Sequence, residues 1–253
     1  MSENPYESPQ STRAPGIAKK RKRLSLLDIV VLIGIVAVLV ALLYPSTRSA
    51  PTSGRRTQCK NNLKMIALAL HNYHDVYAAF PPAYTVDENG QRLHSWRTLI
   101  LPWMEQDELY KKIDLSKSWD HPVNAEAFKT TPQSFRCPSS ELRQDFTTYL
   151  AVVGENACFH PTKPRAISEI TDGTSNTIMV IEVPVKQAVH WMSPHDADEQ
   201  MVLNISPTKK LAHSGGVQVA LANGSVRFLS ATMAPETRRA VISINGEEVV
   251  GEF

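Results

Sequence analysis

The sequence predicts an α+β domain, an antiparallel sheet packed on a helix, carried on an N-terminal membrane segment. An apolar run of membrane-spanning length follows a basic cluster near the N-terminus. A stretch with apolar residues at helical spacing comes next, and short extended runs separated by turn residues fill the C-terminal half. Helix first and strands later is the order of an α+β domain.

The 253 residues suffice for one large domain or two small ones. At 42% hydrophobic and 21% charged the balance is that of a globular protein. The net charge of +2 includes the run Lys19-Lys20-Arg21-Lys22-Arg23. Without that run the remainder is net negative, so nucleic acid is not an expected partner. A basic run beside an apolar segment instead marks the cytoplasmic flank of a membrane helix. Residues 1–18 are rich in Pro and Ser, so residues 1–23 read as a disordered basic cytoplasmic tail.

From Leu24 to Leu43 the chain reads LSLLDIVVLIGIVAVLVALL, with Asp28 its only charge. At about 1.5 Å per residue this run spans roughly 30 Å, the thickness of the hydrocarbon layer. A buried core helix of that length would need a polar face, and Ile29 to Leu43 has none. A secretory signal has a shorter apolar core and a small-x-small cleavage site. Arg48 and Pro51 spoil the site after Ala50. The prediction is a transmembrane helix over 24–44, single-pass in the cell membrane, with membrane lipid as partner. The N-terminus is then cytoplasmic and everything after Tyr44 extracytoplasmic.

Pro45, Pro51 and Gly54 predict a linker over 45–55. A second helix begins near Arg56, with Leu63, Ile66, Leu70, Tyr73 and Tyr77 as its apolar stripe, and Phe80-Pro81-Pro82 stops it. Ser95 to Lys112 reads as a further helix broken at Pro102, with Leu99, Trp103 and Leu109 inward. The runs TTYLAVVG, NTIMVIEVPV, GVQVALANGSVRFLS and NGEEVVGEF read as strands and hairpins. Together they make an extracytoplasmic domain over 56–253. A two-residue type I′ turn at Asn223-Gly224 pairs Leu221 with Val226, Val219 with Phe228 and Val217 with Ser230. That register gives one buried and one largely wetted face.

Several motifs occur together and in order. They are Cys59-Lys-Asn-Asn-Leu-Lys through His74, Phe80-Pro-Pro82, Ser95-Trp96-Arg97, Leu101-Pro102, Glu105-Gln106 and Phe135-Arg-Cys-Pro-Ser139. Thr171-Asp-Gly-Thr-Ser-Asn-Thr177, Glu182, Trp191, Pro194, Asp196 and His213 through Gly224 follow. With these the chain resembles the DUF1559 family of bacterial prepilin-like, pseudopilin-like proteins, which end in an H-x9-DG element. The resemblance covers roughly residues 24–251 and implies a pilin-like α+β fold on an N-terminal membrane helix. It implies no reaction, since the family is named by sequence; some classifications place it near solute-binding proteins. There are two departures. The prepilin signature Gly-Phe-Thr-Leu-x-Glu is here Arg23-Leu24-Ser25-Leu26-Leu27-Asp28, which bears on cleavage after Arg23 and on polymerisation. Asn223 stands where the family has the aspartate of its DG pair.

Asp28 has two readings, a headgroup contact or subunit pairing in the membrane. Among three cysteines outside the membrane, Cys59 and Cys137 form the preferred disulfide, while Cys158 matches no family motif. His71 and His74 read as packing residues on the second helix. His190, His195, Asp196, Asp198 and Glu199 form a polar loop whose spacing fits no established metal motif. Any metal is left open. Thr171 to Thr177 reads as a turn. His213, Trp191, Asp196 and Asp172 are the candidates for a ligand or partner site, His213 reading first as a structural hydrogen-bonding group. Trp96, Trp103, Trp119 and Trp191 are core residues or the walls of a binding pocket.

No catalytic constellation is present, so neither an enzyme nor a cofactor is expected. The expected function is a membrane-anchored pseudopilin-like structural or interaction protein. Its expected setting is a type II secretion or type IV pilus-like system, with self-association or contact with such subunits. The alternative is a membrane-tethered solute- or ion-binding module.

Overall fold

The computed structural model describes residues 25–43 and 50–246, which fall into two units divided before Ala50. The predicted tail, Arg23 and the C-terminal run from Glu247 lie outside the described residues.

Helix α1 (Leu26–Leu43) is apolar throughout apart from Asp28. Ser25 and Asp28 cap it reciprocally. The Asp28 carboxylate accepts from the Ser25 N–H at 3.0 Å, and the Ser25 hydroxyl accepts from the Asp28 N–H at 3.3 Å. This is a capping box, which satisfies donors that the first helical turn leaves open. Among the described residues no helix is long and apolar enough to cross a membrane. The 18 residues of α1 give about 27 Å against a hydrocarbon layer of about 30 Å. The predicted span 24–44 runs past both described ends of α1.

The second unit opens with α2 (Ala50–Tyr77). Residues 50–55 are therefore helix and not linker. Pro51 sits in the first turn, where a missing N–H leaves no bond unmade. Cys59, Leu63, Ile66, Ala67 and Leu70 are fully buried on one face, each large aliphatic contributing about 1.5–3 kcal/mol. Tyr77 is 57% exposed, so the predicted stripe ends at the half-buried Tyr73.

A hairpin that the sequence reading missed follows, β1 (Tyr84–Val86) with β2 (Arg92–Ser95). Asp87 closes its turn, accepting from Asn89 N–H at 2.9 Å and Gln91 N–H at 2.7 Å. The single helix expected over 95–112 is three short pieces: α3 (Trp96–Leu99), a 3-10 turn (Leu101–Met104) and α4 (Asp107–Tyr110). Next come α5 (Ala125–Phe128), β3 (Phe146–Thr147) and β4 (Tyr149–Ala151). They are followed by β5 (Ile178–Glu182), β6 (Val189–His190) and α6 (Glu199–Leu203). The chain then forms β7 (Gly216–Leu221), β8 (Val226–Ser230) and α7 (Pro235–Ala240). The main sheet is antiparallel in the order β4-β5-β7-β8, and β3 pairs with β6.

The β7–β8 register corrects the prediction. Leu221 N–H bonds the Ser225 carbonyl and Gly224 N–H the Leu221 carbonyl, so Ala222 to Gly224 form a three-residue loop. Gly224 sits at φ +82°, the left-handed position that ends such a loop. The added loop residue slips the pairing by one: Ala220 faces Val226, Val219 faces Arg227 and Val217 faces Leu229. A slip of one exchanges the faces of the strand. Ala220, Ala222 and Val226 pack under α2, while Val217, Val219, Leu221 and Leu229 pack on the far side with Val202 and Val241. Neither face of β7 is wetted, because helices cover both. Asn223 serves the turn through its amide oxygen, which accepts from Ser225 N–H at 2.9 Å and the Ser225 hydroxyl at 2.7 Å.

Gly216 leaves no room for a side chain. A Cβ there would press into the Leu229 carbonyl oxygen and come within 2.8 Å of Phe228 Cζ. Gly216→Ala is expected to lower stability by about 3 kcal/mol, read as a shift in the denaturant midpoint; an unchanged midpoint contradicts this packing.

Candidate functional site

Four side chains that can ligate a metal converge where α2 meets the end of β5. Cys59 lies on the sheet-facing side of α2, and Cys137 follows a 3-10 turn at Gln133–Phe135. Glu182 is the last residue of β5, and His213 stands at the tight lead-in to β7, bridged to Gly216. One ligand atom from each lies within 4.8 Å of all the others, and all four residues are buried.

Cys59 and Cys137 form a disulfide with a Cα–Cα distance of 5.1 Å, as preferred from the sequence. Asn62, one turn along α2 from Cys59, donates to the Arg136 carbonyl at 2.7 Å and holds the Cys137 segment against the helix. His213 Nε2 lies 3.0 Å from Glu182 Oε2. The contact is not aligned as a hydrogen bond, and both Glu182 oxygens and His213 Nε2 lack a hydrogen-bond partner. A carboxylate with no donor in an apolar interior is costly, and so calls for a partner of opposite charge. Burial and then the charge of Glu182 push the neighbouring Tyr149 phenol well up. Its hydroxyl donates to the Cys59 carbonyl at 3.4 Å. His213 thus faces Glu182 and the disulfide, where the sequence reading expected first a loop-positioning hydrogen bond.

The other candidates are not brought to this cluster. Trp191 is fully buried, its ring stacked 6.0 Å from Phe135. Asp196 is the counter-ion of the fully buried Arg97, at 2.6 Å. Its Oδ1 also accepts from the Trp96 indole at 3.0 Å and from Ala151 N–H at 2.9 Å. Burial pushes the Asp196 carboxyl up, and the Arg97 guanidinium with these donors offsets that only in part. Arginine keeps its charge at any ordinary pH, and the contact to Asp196 pairs that buried charge. Arg97 further donates to the carbonyls of Trp191, Tyr149, Ser193 and His195. Trp191 and Asp196 are therefore parts of the interior.

Asp172 lies in a turn, as expected for Thr171 to Thr177. Its carboxylate accepts from Gly246 N–H at 2.7 Å, and Thr171 N–H bonds the Ile244 carbonyl at 2.7 Å. The remaining residues of the 190–199 run are spread over separate duties. His190 Nε2 lies 3.1 Å from the Phe128 carbonyl, Asp198 caps α6 through Met201 N–H at 2.7 Å, and Glu199 pairs with Arg239. His74 Nε2 accepts from Ile167 N–H at 3.3 Å, a packing role. Cys158 is buried, which pushes its thiol up to about 12 and keeps it protonated.

Glu182 and Arg97 stand among the motifs that carry the family resemblance, but neither is a site candidate in the sequence. Each carries a visible signal: Glu182 is the lone charge ending the apolar run TIMVIE, and Arg97 stands between Trp96 and an apolar stretch. A charge in such a place needs a partner, though the run alone does not name it.

Buried histidines give the domain an acid limb. Burial pulls His94 below its ordinary 6.5, and its Nε2 is 2.7 Å from the Lys117 carbonyl; burial lowers His190 likewise. The unfolded chain then binds protons more readily than the folded one, so stability is full above about 6.5 and falls as pH drops below it. Thermal unfolding followed from pH 7.5 to 5 should show a falling midpoint, with a shallower fall in His94→Gln. A flat profile contradicts the buried neutral imidazoles.

Residues 48–156 match the model of the family described as Protein of unknown function (DUF1559). The matched stretch contains Cys59 and Cys137 but neither Glu182 nor His213. No curated protein and no solved structure matches the chain.

Proposed function

With residues 48–156 belonging to the DUF1559 family, we propose that the chain is a membrane-anchored, pseudopilin-like structural subunit with an extracytoplasmic domain. The observation that carries this reading is α1. Its apolar side chains point outward all round, with Val30 62%, Ile33 63% and Val38 60% exposed. A helix apolar on every side needs an apolar surrounding, and a bilayer supplies one. The run KKRKR before it supports an N-terminus in the cytoplasm, and the Cys59–Cys137 disulfide fits an oxidising compartment outside. A long helix on an antiparallel sheet supports the pilin-like comparison.

The Asp28 carboxylate accepts from Ser25 N–H of its own chain, which supports a capping role over subunit pairing. Amine-reactive crosslinking of intact membranes should give a ladder of multiples of the chain, and Asp28→Ala should leave that ladder unchanged. A chain that crosslinks only as a monomer contradicts the subunit reading.

A further inference from the structure

We propose that, with Cys59 and Cys137 reduced, the chain binds a divalent cation of the zinc class through both thiolates, His213 Nε2 and a Glu182 carboxylate oxygen. We propose further that closing the disulfide expels that cation. Four donors within 4.8 Å of one another match a tetrahedral site, in which bonds of about 2.0–2.3 Å place ligands roughly 3.5 Å apart. The donor set, two sulfurs with one imidazole and one carboxylate, suits zinc. The structure adds a second, independent observation. Glu182 is fully buried with neither oxygen hydrogen-bonded, and His213 Nε2 is aimed into the same space without a hydrogen-bond partner. A cation there would satisfy both groups at once. Access exists at Cys137, which is 3% exposed and lines a surface cleft with Gln58, Gln133 and Pro138.

The disulfide and the cation exclude each other, because a disulfide sulfur has no thiolate charge to offer a metal. The expulsion is balanced by a low-molecular-weight disulfide as oxidant. One protein thiolate attacks it and displaces a small thiolate; the second protein thiolate then attacks that mixed disulfide and displaces the other. Two electrons pass from the protein sulfurs to the small disulfide. The products are the Cys59–Cys137 bond, two small thiolates and the free cation. This inference does not depend on how the chain is anchored or assembled.

The test uses the full chain in detergent, reduced with a phosphine that is then removed. Cobalt(II) should give intense tetrahedral d–d bands and a thiolate-to-metal charge-transfer band at one equivalent, and zinc should displace it. Air-oxidised chain should give neither band. Adding oxidised glutathione to the zinc-loaded chain should release one zinc per disulfide formed, read with a chromogenic chelator. His213→Asn and Glu182→Gln, with folding checked by circular dichroism, should each weaken zinc binding at least tenfold. The proposal is overturned if reduced wild-type chain gives no charge-transfer band. It is equally overturned if reduced and oxidised chains bind alike, or if folded variants bind as tightly as the wild type.

Discussion

Arg97→Ala is expected to destabilise the α+β domain by about 3–5 kcal/mol, the range for breaking one side of a buried ion pair. The removed guanidinium serves Asp196 and the carbonyls of Trp191, Tyr149, Ser193 and His195. Its loss strands a carboxylate that is 3% exposed. Typical domains hold only about 5–15 kcal/mol in total, so the variant should lose a large share of its stability. Arg97→Lys should recover little, because a single ammonium cannot reproduce the planar fork that reaches this many acceptors. Arg97→Met with Asp196→Leu should lose less than Arg97→Ala alone, since no charge is left unpaired. Denaturant titration of the full chain in detergent reads all three. A midpoint unchanged in Arg97→Ala would refute the buried network.

The second large effect is expected at the disulfide. Cys59 and Cys137 are 78 residues apart, and constraining a loop of that length contributes roughly 4 kcal/mol by restricting the unfolded chain. Cys59→Ser with Cys137→Ser should lose about that much, as should reduction of the wild type in the presence of a chelator. If the cation site described above forms, zinc should restore part of the loss in reduced wild-type chain and none in the double serine variant. A reduced chain as stable as the oxidised one contradicts the bridge between α2 and the segment carrying Cys137.

The α+β class was legible because its signals are local. Leu63, Ile66 and Leu70 recur at helical spacing, and the apolar runs ending at Glu182 and Leu221 have strand length. The pairing of Cys59 with Cys137 was legible only through family resemblance. The hairpin register was not legible. Asn223-Gly224 fits a two-residue type I′ turn as readily as the three-residue loop it forms, and only packing on both sides of β7 decides between them. The prediction also assumed one wetted face, whereas α2 covers one side and α6 with α7 the other. The site was half legible for a related reason. Cys59 and His213 stood out as residue types, but Glu182, though one of the motif residues, had no visible site role until the fold placed it beside them. Asp196 and Trp191 stood out for the same reason, yet the fold places them in the interior with Arg97.

The central claim, that α1 holds this domain in a membrane, is tested most directly by where the chain partitions. Membranes bearing the full chain are washed with alkaline carbonate, beside a chain in which aspartates replace Val31, Val36 and Val38. The full chain should stay with the lipid, and the aspartate variant should leave it, since each charge within the bilayer costs about 2.5–3.5 kcal/mol. A full chain recovered in the wash would contradict the anchor, and the subunit reading would fall with it.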